Sequence, residues 1–291
     1  MKFSCRNNAL IIQNVLDVPP FSEAQCDALF AAVLVHDDID LDAQLPEVIH
    51  LDYSQEQLTQ CYRICRQVWK QGVNRKYLCK LVEKLLLFCT IAQEERHSYH
   101  NVRAKIKHLR FAYVTFDERH AYPVHLHRMT RIMGELQDAF KNKQKATIRN
   151  LAIKLRFLLT MLPYALVTKE IDQFQPSTIE SFRKYVNDEI NFIRLHLAKK
   201  EITSKEFHEM RKVISRQVAL YDNLKTLYLS AYHSSMSRYL STINGLMGNM
   251  HDALIAQKFK KTEDYYVATF EIPEEIEQRL IALVDKYKAP Y

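Results

Sequence analysis

Histidine, arginine and lysine recur at helical spacing between residues 100 and 110. His100-Asn-Val-Arg103 is followed by Lys107, His108 and Arg110. In a helix that turns about 100° per residue, all of these except His108 fall within an arc of about 80° on one face. Like charges stacked on one face repel each other, and a bound anion would offset that repulsion. The spacing therefore favours a site for a polyanion, since arginine can donate two hydrogen bonds to one anionic group.

A second segment repeats this pattern more thinly. His208-Glu-Met-Arg211 is followed by Lys212 and Arg216. Each copy is also followed by a Gly-x-x-x-Asp-Ala element, Gly134 to Ala139 in the first copy and Gly248 to Ala253 in the second. The chain has only 4 glycines, and two of them take the equivalent position in these elements. Repetition at a distance of about 110 residues predicts two related helical halves.

Positive charge is concentrated around the first copy. The segment from residue 96 to residue 156 holds fourteen Lys and Arg and four Asp and Glu, so it carries ten positive charges although the whole chain carries +7. Six of the 12 histidines lie between residues 97 and 127. A concentrated positive field favours a polyanionic partner.

The repeated pattern resembles the CHAD domain (conserved histidine α-helical domain), over about residues 75 to 259. The resemblance implies two helical bundles related by a pseudo-twofold axis, with a basic central groove in which family members bind inorganic polyphosphate. The second copy departs from it, with Ser215 and Val218 where the first has Lys107 and Arg110. The expected phosphate-binding residues are His100, Arg103, Lys107, His108, Arg110, His208, Arg211, Lys212 and Arg216.

The glycine content also predicts the fold class, because sheet proteins use glycine in turns and bulges. Only 4 glycines in 291 residues predict an all-α protein with roughly nine helices. We expect a mostly helical segment over 1–75, a CHAD-like helical repeat domain over 76–262, and a short strand and helix over 263–291. The strand, Tyr265 to Phe270, is expected to pair with Leu10 to Val15 because both segments contain β-branched residues.

Helix boundaries follow from capping residues and proline. Capping boxes at Ser22, Ser54, Ser177 and Thr203 begin four of the predicted helices. A helix from Ala146 to Leu162 is expected to end before Pro163, and another begins after Pro273. The remaining predicted helices run over about 75–90, 91–116, 125–140 and 234–260.

Three other functions remain open. The adjacent pair His251-Asp252 could belong to a metal-dependent phosphohydrolase. The basic segment with its aromatic residues, among them Phe111 and Tyr122, could bind nucleic acid. The protein could also be a helical scaffold without an anionic ligand.

The sequence indicates a binding protein that is not an enzyme. We expect no catalytic residues, no metal site and no cofactor. The six cysteines are interpreted as buried thiols of a reducing compartment. With no apolar run near the ~20 residues of a membrane span and no signal-peptide pattern at the N-terminus, we expect a cytoplasmic protein without membrane contact.

Overall fold

The computed structural model describes residues 20–260 and 264–287. This described part is dominated by α-helices, which confirms the all-α expectation. The eleven helices are α1 (Glu23–Leu34), α2 (Gln55–Gly72), α3 (Arg75–Phe88), α4 (Gln93–Phe116), α5 (Val124–Lys141), α6 (Lys145–Leu158), α7 (Met161–Asp172), α8 (Ile179–Leu197), α9 (Ser204–Leu227), α10 (Ala231–Lys260) and α11 (Glu274–Lys286).

Local capping explains where several helices begin. Ser22, Ser54 and Thr203 each accept a hydrogen bond from a backbone amide in the first turn and form complete capping boxes, as predicted. Pro273 precedes α11, whose first turn carries three glutamates that favour the positive end of the helix dipole.

Two of the predicted helix boundaries are wrong. The segment predicted as one helix from Ala146 to Leu162 contains nearly all of α6 and the start of a separate helix, α7. Pro163 lies in the first turn of α7, where the backbone amides have no partner within the helix, so the missing amide of proline costs little. The cap of α8 is Thr178 rather than Ser177, since Thr178 Oγ1 accepts from the amide of Ser181 at 3.1 Å.

The described residues also form a two-stranded antiparallel sheet. Strand β1 (Ile202–Thr203) leads directly into α9, and Ile202 pairs with Phe270 of β2 (Thr269–Phe270). The extended segment near residue 270 was therefore predicted correctly in part, but it pairs with β1. Its predicted partner, Leu10 to Val15, lies outside the described residues.

The two helices that carry the His-x-x-Arg patterns, α4 and α9, pack against each other in the core. Where they meet, His108 Nε2 lies 2.9 Å from Asn223 Oδ1, and both residues are buried. Helix α5 packs against α4, and α10 packs against α9. Helices α1 and α2 cover both α4 and α9. The fold therefore places the two His-x-x-Arg helices side by side, each with the glycine-bearing helix of its own copy.

Within residues 20–260 and 264–287, no single helix is both long enough and apolar enough to cross a membrane. Helices α6 and α7 meet that criterion only as a pair, and the chain bends by 71° between them.

Candidate anion-binding site

Three cationic side chains on one face of α4 lie partly or fully inside the protein. Arg110 is only 9% exposed, and Arg103 and Lys107 are half-buried. Among the described side chains, no carboxylate oxygen lies within 4.0 Å of any of these three cations. The stripe predicted from the sequence is thus present, and ion pairing does not neutralise it.

Arg211 of α9 joins these residues. Burial lowers its pKa. Asp252 and Asp37 oppose this effect, and Arg103 of the neighbouring helix adds to it. Arg103 and Arg211 in turn both depress the pKa of the Lys107 amine. Cations from the two helices therefore share one electrostatic environment. We call Arg103, Lys107, Arg110 and Arg211 the interhelix cation cluster.

The cluster contains buried hydrogen-bond donors without acceptors. The Nε atoms of Arg103, Arg110 and Arg211 are all buried, and none has a hydrogen-bond partner among the described residues. A buried donor without an acceptor costs about 1–3 kcal/mol. Three such donors therefore leave unused hydrogen-bonding capacity in one cluster.

Lys107 lies at the centre of the cluster. Its Nζ is 3.3 Å from Nε2 of His36, a residue of the loop after α1, and 5.4 Å from the ring centroid of Phe111. Burial is the main cause that holds the Lys107 pKa well below its usual value, and the surrounding arginines add to it. His36 is affected in the same way, first by burial and then by Lys107. A bound anion would raise the pKa of both groups, because it favours their charged forms.

Arg110 lies between aromatic rings. Its guanidinium carbon is 4.9 Å from the ring centroid of Phe111 and 4.8 Å from that of Tyr122, distances at which cation–π attraction operates. Its Nη1 lies 3.4 Å from Nδ1 of His127. Burial lowers the Arg110 pKa to about 10, and burial together with Arg110 lowers the His127 pKa to about 4. The rings thus hold the guanidinium in place without neutralising it.

Each glycine of the repeated Gly-x-x-x-Asp elements lies against the arginine of its own copy. A Cβ atom at Gly134 would come within 3.0 Å of Arg103 Nη2, and one at Gly248 within 2.8 Å of Arg211 Nη2. The two arginines, on α4 and α9, therefore lie at corresponding positions against the glycine-bearing helices α5 and α10. Comparison of the two copies in sequence identified these two glycines as equivalent, but it did not show what they contact.

The two motif histidines are half-buried, and the pKa of each is lowered. Burial is the first cause that lowers the pKa of His100, and Arg103 is the second. His208 stacks on His251 of α10 with ring centroids 4.4 Å apart. Burial and the charges of His251 and Lys212 lower the His208 pKa to about 2. Its Nδ1 is buried and has no hydrogen-bond partner among the described residues.

Three other predicted site residues already have partners within the protein. His108 is bonded to Asn223 in the core. Arg216 is 8% exposed and donates from Nε to Glu189 Oε2 at 2.6 Å and from Nη1 to the Tyr122 hydroxyl at 2.6 Å. Lys212 forms an ion pair with Glu209 at 2.7 Å on the surface of α9.

Acidic groups border the cluster without touching it. Asp252 pairs with Lys141 at 2.9 Å, which links α10 to α5. Burial raises the pKa of Asp138, against the opposing effect of Arg103. The aspartates of the two repeated elements therefore lie within electrostatic range of the cluster's arginines, and Asp37 lies within range of Arg211 and Lys107.

Sequence reasoning did not assign His36, Tyr122 and His127 to the site. Tyr122 and His127 lie in the histidine-rich segment between residues 97 and 127. That enrichment was the one feature of the sequence that could have indicated them. His36 lies in a loop far from either copy in sequence, and only the packing of α1 against α4 brings it to Lys107.

Among the described residues, no three His, Cys, Asp or Glu side chains are grouped so that they could hold a metal ion. The chain matches none of the protein-family models, curated proteins or solved structures with which it was compared.

Proposed function

We propose that this protein binds a phosphate polyanion, inorganic polyphosphate, at the interhelix cation cluster, and that it does so without catalysis. The observation that carries the proposal is the cluster itself. Two neighbouring helices bring together four cations that no described carboxylate pairs with, and three of them have a buried Nε donor without an acceptor.

Electrostatics favours an anion at this position. Burial, and after it the neighbouring arginines, lower the pKa values of Lys107 and Arg110, so both effects disfavour the charged groups without a ligand. Phosphate oxygens would supply both the missing negative charge and the missing acceptors. Charge-assisted hydrogen bonds of this kind contribute about 1.5–3 kcal/mol each.

The arrangement favours a chain of phosphates over a single one. Seven residues separate Arg103 from Arg110 along α4, which corresponds to about 10 Å of helix. Arg211 extends the cluster onto the second helix. A linear polyanion can contact cations spread over this distance simultaneously, whereas one phosphate reaches two or three of them.

The matched glycine–arginine pairs support the finer architecture as well. We propose that α4 with α5 and α9 with α10 are the central elements of two pseudo-symmetric halves, and that a basic groove runs between them. In this arrangement Arg103 and Arg211 are equivalent residues on opposite sides of the groove. The second half contributes fewer cations because Arg216 is committed to Glu189.

The test is a titration of the full chain with long-chain polyphosphate and with orthophosphate at 50 and 200 mM salt. We expect polyphosphate to bind more tightly than orthophosphate. Four cation–phosphate contacts should weaken binding about 50-fold across this salt range, by the counterion-release slope for single-stranded polyanions.

Two charge reversals decide whether the cluster is responsible. Arg103→Glu should lower polyphosphate affinity at least tenfold without lowering the melting temperature. Arg149→Glu makes the same charge change at an exposed residue of α6 and should have little effect.

No binding at millimolar polyphosphate and low salt would refute the proposal. Equal losses in the two variants would assign binding to overall charge, as expected for a nonspecific nucleic-acid binder. Unchanged affinity with a clear loss of stability in Arg103→Glu would favour the scaffold.

A further inference from the structure

A cavity separate from the cation cluster lies where the C-terminal end of α3 meets the N-terminal ends of α4 and α6 and the C-terminal end of α5. Its volume is about 620 Å³, which lies within the range of pockets that hold small organic ligands. Its inner wall is apolar and is formed by Leu85, Ile91, Leu136, Phe140 and Ile148. A purely inorganic anion has no apolar surface that could pack against such a wall.

The same cavity is bordered by cations. Its lining includes Arg96, His97, His100, Lys141, Lys143 and Lys145, and none of its described lining residues is acidic. Lys143 and Lys145 are exposed, and no described carboxylate lies within 4.0 Å of them. The Arg96 guanidinium carbon lies 4.5 Å from the ring centroid of Phe140, which holds one positive charge directly over the apolar wall.

An apolar interior with a cationic border is complementary to one chemical class, the amphipathic monoanion. We infer that this cavity binds a medium-chain fatty-acid carboxylate or a closely similar amphiphile. Its hydrocarbon chain lies along the wall of leucine, isoleucine and phenylalanine, and its carboxylate lies among the lysines and Arg96. Burial of each methylene against this wall adds to the stability of the complex. The inference does not rest on the proposed polyphosphate site, although His100 lies beside both.

The experiment measures decanoate binding to the full chain by isothermal titration calorimetry, below the micellar concentration. Decyltrimethylammonium serves as a probe with the same chain and the opposite charge. We expect one decanoate per protein, and at least tenfold weaker binding of the cation. Equal binding of both probes would show general hydrophobic adsorption and would overturn the inference.

Matched variants locate the site. Lys145→Glu reverses a charge at the border of the cavity and should weaken decanoate binding at least fivefold. Lys154→Glu makes the same change on the same helix, at an exposed residue outside the cavity, and should leave binding unchanged. Gln137→Trp places an indole in the cavity and should abolish binding without changing charge. Equal effects of the two lysine variants, or full binding by a folded Gln137→Trp protein, would contradict the inference.

A cross-titration separates this inference from the proposed function. Arg211→Glu should weaken polyphosphate binding and leave decanoate binding intact, and polyphosphate should not displace decanoate. Absence of polyphosphate binding with decanoate binding retained would refute only the first proposal. Loss of both ligands in Arg211→Glu would show a single shared site and would overturn the inference of a separate one.

Discussion

Arg103 and Gly134 fit each other as a pair. The Nη2 atom of Arg103 occupies space that a side chain at position 134 would need, since a Cβ there would lie 3.0 Å away. Gly248 stands in the same relation to Arg211, at 2.8 Å. Glycine inside a helix costs about 1 kcal/mol relative to alanine. Its presence at both positions therefore has a local structural cause, the approach of an arginine to the helix backbone.

Replacing these glycines by alanine should lower polyphosphate affinity without lowering the stability of the fold. In Gly134→Ala and Gly248→Ala the new methyl group meets the flexible end of an arginine, which can move aside. We expect the melting temperature to stay equal or to rise, because alanine favours the helix, while polyphosphate affinity falls several-fold. Thermal unfolding and a polyphosphate titration check both effects. Unchanged affinity in both variants would show that the arginine positions do not matter.

Gly245, on the same helix as Gly248, provides a contrasting case. A Cβ at Gly245 would lie 2.2 Å from the backbone oxygen of Asp37 and 2.7 Å from Ile39 Cγ1. Backbone cannot move aside as a side-chain terminus does, so Gly245→Ala should destabilise the protein by about 1–3 kcal/mol. Chemical denaturation measures this loss. A wild-type unfolding midpoint would show that the loop at Asp37 moves freely.

The Lys107 amine should reduce stability in the absence of a ligand. It lies among three arginines, and no described carboxylate lies within 4.0 Å of it. Lys107→Met keeps the length of the side chain and removes its charge. We expect a gain of about 1–2 kcal/mol in unfolding free energy and a loss of about tenfold in polyphosphate affinity.

Lys105→Met is the matched control for Lys107→Met, because Lys105 lies on the same helix with its Nζ 4.2 Å from the Phe30 ring centroid, outside the cluster. It should leave polyphosphate affinity unchanged. Lower stability in Lys107→Met than in the wild type would contradict the view that this charge is uncompensated.

Arg216 should behave in the opposite way, as part of the internal structure. Its guanidinium and the Glu189 carboxylate form a pair whose side chains are only 9% and 16% exposed. Arg216→Met leaves Glu189 buried without a counter-charge and should cost about 3–5 kcal/mol, which corresponds to a fall of roughly 10 °C in Tm.

A second variant identifies the cause of that loss. Adding Glu189→Leu to Arg216→Met removes the unpaired carboxylate and should restore much of the stability. Polyphosphate affinity should change less than in Arg103→Glu. A tenfold loss of affinity in the double variant, with stability restored, would instead place Arg216 in the binding site.

Two half-buried histidines predict how stability depends on pH. In the folded protein the pKa of His127 is lowered to about 4 and that of His208 to about 2, from the ordinary 6.5. Below pH 6.5 the unfolded chain therefore binds protons that the folded chain does not. Their contribution to stability is complete above pH 6.5 and decreases as pH falls toward 4 for His127, and toward 2 for His208.

Denaturation at pH 7.5, 6.5, 5.5 and 5 should show this decrease, and His127→Gln should make it shallower. A bound polyanion raises the same pKa values, so polyphosphate affinity should increase between pH 7.5 and 6. Affinity that is constant or falls over this interval would indicate that these histidines do not face the ligand.

The sequence alone was sufficient to predict most helices, because capping and helix propensity depend on residues three or four positions apart. The hydrogen bonds at Ser22, Ser54 and Thr203 are of this local kind. Helix α7, which includes Pro163, was missed because proline both ends helices and is tolerated in a first turn. Only contacts with the rest of the chain select between the two.

The repeated His-x-x-Arg and Gly-x-x-x-Asp elements likewise identified which helices carry the candidate site. Tertiary structure decided which cations within them remain unpaired. Arg110 and Arg216 look alike in sequence, yet Arg216 meets Glu189 of α8, whereas among the described residues Arg110 meets aromatic rings and His127 and no carboxylate. The contact of His36 with Lys107 and the apolar cavity at the end of α4 also depend on residues distant in the chain. Charge compensation and cavity shape arise from such long-range packing, and helical periodicity contains no information about them.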